Sequence, residues 1–180
     1  MTYVALLRGI NVGGKNIVPM AALRACLSEA GLANVSTYIQ SGNVVFESAS
    51  SDKEALAKTV SNAMRAAFEL EPTVIILEAT ELSDAIESCK NAAEQVDERF
   101  IHLTFLDGEP ATGVMDAAAE LASATETYAL VGRLFCLVAP DGIGRSKLAA
   151  RIEKVVGVGA TSRNLRTCRK ILELAGATLH

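Results

Sequence analysis

Two stretches of the chain, ninety positions apart, read as the same hairpin. VSTYIQSGNVVFE holds two short β-prone runs around Ser41, Gly42 and Asn43, residues that tolerate the positive φ of a tight turn. TYALVGRLFCLV repeats the plan, with Thr127, Tyr128 and Gly132 standing where Thr37, Tyr38 and Gly42 stand. A chain built around two such hairpins is committed to antiparallel sheets, and the matching positions point to an internal duplication.

The elements around each hairpin agree. In the first half, Tyr3 to Leu7 reads as a strand. Pro19 opens a helix with Met20, Leu23, Leu27 and Ala30 at helical spacing, and Gly31 stops it. The hairpin strands fall at Val35 to Ile39 and Val44 to Glu47. A capping box of Ser51 and Glu54 leads into Leu56, Val60, Met64 and Phe68 on one helical face, and TVIILEA after Pro72 is a strand. The order is βαββαβ. The second half follows it more loosely: a helix over 81–95, FIHLTFLD as a strand, a helix over 114–122, the second hairpin and an amphipathic helix over 146–156. GVGAT then makes a short strand before a final helix over 163–174. The expected fold is α+β, two tandem ferredoxin-like (α-β plait) units with antiparallel sheets and an extra C-terminal helix. The boundaries fall at 1–80, a connecting helix 81–98, and 99–180.

Half of the 180 residues are hydrophobic and mean hydropathy is +0.28, which supplies a real core and excludes a disordered or collagen-like chain. Cys26, Cys89, Cys136 and Cys168 lie far apart with no C-x-x-C pair, so zinc knuckles and thioredoxin-type motifs are excluded and reduced, buried thiols are expected. With only His102 and His180, a histidine metal site or a Ser-His-Asp triad has little to work with, and neither a metal nor a cofactor is implied. The first apolar run is cut by Arg8, and nowhere do about 20 apolar residues occur together, so a cytoplasmic protein without a membrane segment is expected.

Charge is unevenly placed. Residues 1–144 carry 9 Lys+Arg against 19 Asp+Glu, net -10, and residues 145–180 carry 8 against 2, net +6. A basic tail can attract phosphates or nucleic acid, although such runs are commonly solvated helix faces. Gly9, Gly14 and Lys15 fit G-x-x-x-x-G-K, but Asn16 replaces the magnesium-binding Ser/Thr and Pro19 denies the helix start that a phosphate loop needs. Gly142 to Gly144 and Gly157 to Gly159 read as turn glycines rather than a dinucleotide fingerprint. Aromatics total 4 % with no Trp, which gives an RNA-stacking sheet face little support. On the last helix Arg163, Arg166, Arg169 and Lys170 oppose Leu165, Cys168, Leu172 and Ala175, an amphipathic pattern. Thr161, Ser162, Arg163 and Asn164 gather at its expected start, either as anion contacts or with Thr161 or Ser162 as the helix cap.

The string YVALLRGINVGGKN, followed by Met20, Leu23 and TYIQSGNVVF, strongly resembles the bacterial family called domain of unknown function 1697. The family's C-terminal signature is met in Ser146, Lys147 and Leu148, then in Thr161, Arg163, Asn164 and Thr167. Leu165 stands where the family commonly has an aromatic, and Arg166 where it commonly has Asn. The resemblance implies two α-β plaits in tandem and brings no established activity. It marks Arg8, Asn11, Lys15, Asn16, Gln40, Ser41, Asn43, Ser146, Lys147, Thr161, Arg163, Asn164 and Thr167 as the distinctive polar positions.

Three functional readings follow. In the first, the 8–16 loop, the 41–43 turn and the 161–167 segment converge on a pocket for a small anionic or phosphate-bearing ligand, since they gather amides, hydroxyls and cations with few acids. In the second, an enzyme acts on a phosphorylated or nucleotide substrate with Lys15 or Arg163 stabilising developing charge, although no base is at hand. In the third, the glycines, Asn and Thr serve turns and caps and the protein works through a partner surface. Oligomeric state is not legible.

Overall fold

The computed structural model describes residues 1–90 and 96–176; the part of the expected connecting helix over 91–95 lies outside them. The chain divides into two compact units, residues 1–83 with the stretch from 170 onward, and residues 84–169.

In the first unit, strands β1 (Thr2–Leu7), β2 (Ala33–Tyr38), β3 (Asn43–Glu47) and β4 (Val74–Glu78) form one antiparallel sheet in the order β2-β3-β1-β4. Alternation along the strands sends Tyr3, Ala5 and Leu7, with Val44, Phe46 and Ile76, to one face. There they pack on Leu23 and Leu27 of α1 (Met20–Glu29) and on Leu56, Val60 and Met64 of α2 (Lys53–Phe68). Each of those fully buried side chains contributes roughly 2 kcal/mol by leaving water. Tyr3 stacks on Phe46 at 5.7 Å and gives its hydroxyl hydrogen to Ser50 O at 2.8 Å, so the one polar atom of a buried ring is satisfied. Helix α2 is capped by Asp52, whose carboxylate accepts from Ala55 N at 2.9 Å, one residue later than the Ser51 box expected from the sequence.

The second unit repeats the strand order. β5 (Ile101–Leu106), β6 (Thr127–Val131), β7 (Leu134–Val138) and β8 (Ala160–Asn164) form an antiparallel sheet ordered β6-β7-β5-β8. Leu106, Phe135 and Leu137 pack on Val114 and Ala118 of α4 (Val114–Ala119), Leu148 of α5 (Lys147–Ala150), and Val155 and Val156 of α6 (Ile152–Val156). The single helix expected over 146–156 is interrupted at Arg151, whose φ of -120° and ψ of 15° end α5 and begin α6. Helix α3 (Ala79–Lys90) and the last helix, α7 (Leu165–Leu174), each span the division between the units.

Two expectations are corrected. The short strand expected at 157–161 lies at 160–164, so Arg163 and Asn164 belong to an edge strand and not to the last helix: β8 pairs in register with β5, Phe105 opposite Thr161 and Leu103 opposite Arg163, and tertiary pairing overrides the weak β propensity of so polar a segment. The cysteines are not all reduced. Cys89 of α3 and Cys136 of β7 form a disulfide with Cα atoms 6.0 Å apart, while Cys26 and Cys168 are free. A separation of 47 residues hides that proximity from any spacing rule.

Candidate functional site

The loop after β1 carries the densest run of special backbone in the molecule. Gly9, Asn11, Gly13, Gly14 and Asn16 all have positive φ. Gly13 (57°) and Gly14 (75°) form the turn of a miniature hairpin closed by Lys15 N to Val12 O and Asn11 N to Asn16 O, each at 3.0 Å. Two successive left-handed residues are what a two-residue turn of matching twist demands. The G-x-x-x-x-G-K string is therefore a hairpin tip, with Lys15 exposed on it and the next helix starting only at Met20.

Side-chain amides brace this loop. Asn11 donates to Val18 O (3.0 Å) and Gln40 O (2.9 Å) and accepts from Val18 N (2.8 Å); Asn16 donates to Gly9 O at 2.8 Å. The 8–16 loop and the 41–43 turn are thereby brought together. Leu7 N donates to Gly42 O at 2.8 Å, and a Cβ on Gly42 would meet Leu7 Cβ at 2.8 Å. Asn43, 1 % exposed, donates to Tyr38 O and Ser41 Oγ, closing the turn from within.

On one side of the loop, Arg8, Gly9, Ile10 and Asn16 face residues 70–73 across a cleft of about 240 Å³. Arg8 N donates to Thr73 O at 3.0 Å, which fixes the cleft floor, and Glu71 on the far wall is held by Arg65 at 2.9 Å. Glu71 and Thr73 were not singled out from the sequence; the signal lay in β4, which pairs with β1 and so brings its own start to the loop. On the other side, Asn11, Ile17, Val18, Pro19, Met20 and Gln40 line a groove of about 350 Å³. Val12 and Ile17, each 64 % exposed, and Ile39, 52 % exposed, stand in solvent around this loop and turn. Ile39 is also left-handed at φ 47°, a costly conformation for a β-branched residue.

The other expected site residues belong to the second unit. Ser146 caps α5 by accepting from Ala149 N at 2.9 Å, and Lys147 is exposed beside it. Asn164 caps α7 by accepting from Thr167 N at 2.8 Å, the role that the sequence left to Thr161 or Ser162. Arg163 turns back on its own strand, donating to Thr161 Oγ1 and Ser162 O, each at 2.8 Å. Burial lowers the Arg163 guanidinium to about 10, still charged at neutral pH, and pushes the Cys168 thiol up to about 12 against the opposing pull of Arg163. That thiol is no nucleophile.

Sequence reasoning passed over His102. On β5 it sits opposite Asn164 and two pairs from Thr104 and Ser162, whose hydroxyls share a hydrogen bond of 2.6 Å. Its Nε2 is buried without a partner among the described residues, and desolvation lowers its pKa, so the ring is neutral. Among the described residues no group of three His, Cys, Asp or Glu is placed to hold a metal, and no helix is long and apolar enough to cross a membrane.

The molecule is thus an α+β protein of two four-stranded antiparallel sheets, consistent with two repeated units. Its fold is shared by a solved structure, that of a conserved bacterial protein from Streptococcus pneumoniae, with a TM-score of 0.75 over 97 % of this chain and 98 % of that one at 24 % identity. No curated protein matches the chain. It belongs to the family described as protein of unknown function, DUF1697, whose model matches residues 1–135.

Proposed function

We propose that the protein is a binding module for a small anionic or phosphate-bearing ligand, taken up in the first unit between the 8–16 loop and residues 70–73. The observation that carries this reading is the braced loop: the amides of Asn11 and Asn16 bond its backbone, and Arg8 lines a cleft of about 240 Å³ beside it, so the loop backbone needs little ordering when a ligand binds. Glu71, which would repel an anion, pairs with Arg65 at 2.9 Å. Lys15 at the tip adds long-range attraction. Each unit we read as a ferredoxin-like plait, supported by the βαββαβ order and the shared strand order of the two sheets.

Calorimetric titration of the full chain at low salt with inorganic phosphate, ribose 5-phosphate and a nucleoside monophosphate tests the reading. At least one should bind, and Arg8→Ala should weaken it by about tenfold or more, the usual worth of a charge-assisted hydrogen bond. Absence of heat with all three up to millimolar concentration, or binding indifferent to Arg8→Ala, overturns it.

A second reading, a protein-interaction module, is favoured by a different observation: Val12, Ile17 and Ile39 stand exposed beside the 350 Å³ groove, and the amides once assigned to a ligand are turned inward. Under this reading Ile17→Ser and Ile39→Asn leave phosphate titrations unchanged and abolish capture of the partner.

A further inference from the structure

The second unit carries a charge arrangement that the cleft does not use. Along α5 and α6 the exposed positions are Lys147, Ala150, Arg151 and Lys154, while Leu148, Val155 and Val156 are buried. These exposed positions lie three or four residues apart in sequence on two short helices divided at Arg151. Arg145, exposed on the turn just before, extends it. None of these four cations has a side-chain hydrogen bond or ion pair among the described residues. The acid of the helix pair, Glu153, is turned away, its Oε1 accepting from Ala160 N at 3.2 Å. Four positive charges thus stand together with no internal neutraliser.

The chemistry of the stripe selects among anionic partners. A protein interface draws its energy from aromatic or large apolar anchors, and the only uncharged member here is Ala150. Single-stranded nucleic acid is held by aromatic platforms as well as charge, and none lies on this face. Lipid surfaces hold basic segments that also insert apolar side chains, and only Ile143, 38 % exposed, stands nearby. What is left is a rigid row of negative charge read by charge alone.

We propose that the α5–α6 stripe is a sequence-independent contact for the sugar-phosphate backbone of a nucleic acid duplex, with Arg145, Lys147, Arg151 and Lys154 each meeting a phosphate. The net charge of -4 keeps the affinity modest, so binding is expected at low salt.

Fluorescence anisotropy of the full chain with a labelled duplex of about 20 base pairs, titrated at several salt concentrations, tests it. Four phosphate contacts predict a slope of log K against log salt of about -3.6, a loss of roughly 150-fold between 50 and 200 mM salt. The triple variant Lys147→Ala, Arg151→Ala, Lys154→Ala should flatten the slope to about -1. Lys147→Arg with Lys154→Arg should retain it, and circular dichroism checks that both variants fold. No binding at about 20 mM salt, an unchanged slope in the triple variant, or tighter binding to a single strand, to polyglutamate or to phosphatidylserine vesicles would each overturn the proposal.

Discussion

The two units share a strand order and little else. In the first, the chain invests its polar side chains in the 12 residues between β1 and α1, where Asn11 and Asn16 hold a strained loop in one shape. In the second, the connection after β5 is shorter and the polar groups sit instead on the edge strand β8 and at the helix starts, as Thr104–Ser162, Arg163–Thr161, Asn164–Thr167 and Ser146–Ala149. The first unit has one unbroken 16-residue helix after its hairpin; its counterpart is divided in two. The second unit alone carries a disulfide among the described residues. A common strand order therefore sets where loops begin and end, and the loops carry the differences between the two units.

The comparison can be broken most severely at the crosslink. A disulfide closing a loop of 47 residues restricts the unfolded chain by about 4 kcal/mol on the chain-entropy model. Reduction, or Cys89→Ser with Cys136→Ser, should lower the urea midpoint of the second unit by that order while leaving the first unit's transition in place; a free-thiol titration before and after reduction checks that the bond was there.

The two hairpin glycines sharpen the comparison next. Gly42 has φ 76° and no room for a Cβ beside Leu7, whereas Gly132, ninety positions on, has φ 55° and nothing within 4 Å. Gly42→Ala should cost about 3 kcal/mol, from a left-handed backbone plus a clash, and Gly132→Ala only about 1 kcal/mol. Equal losses in equilibrium denaturation would mean that the two turns are equivalent after all. Below these in size, Asn11→Ala removes three hydrogen bonds of the loop and should cost about 2 kcal/mol, read as faster amide exchange at Val18.

The smallest effect concerns pH. His102 has a folded pKa below its ordinary 6.5, so the folded state holds the ring neutral. Stability is then complete above 6.5 and falls as pH drops below it, because the unfolded chain binds the proton first. His102→Leu should flatten this decline for the second unit below about pH 6.5, measured by thermal denaturation at closely spaced pH values.

Much of the sheet framework was legible. Short apolar runs bounded by turn residues located β1, both hairpins and β4, because the central strands are buried along almost their whole length. β8 was expected three residues too early because an edge strand paired on one side needs no hydrophobic pattern, and SRN reads locally as a helix entrance. The disulfide was hidden because α3 and β7 meet only in three dimensions. The direction of the marked polar residues was not legible: Asn11, Asn43 and Asn164 look alike as sequence whether they face a ligand or a carbonyl, and here they face carbonyls and amides of their own backbone. The cleft's far wall, Glu71 and Thr73, came from a strand end whose composition carries no chemical signal.

The grouping of the stretch from 170 onward with residues 1–83 has a temporal side. A ribosome delivers every strand of the first sheet within the first half of synthesis, yet its last packing segment emerges only after the whole second unit has been made. The first unit is the earlier to begin folding and the later to finish. For the same reason no single cut in the chain releases it whole: a fragment ending near residue 83 would carry the loop, the cleft and the sheet, and lack the turns of α7 that group with them.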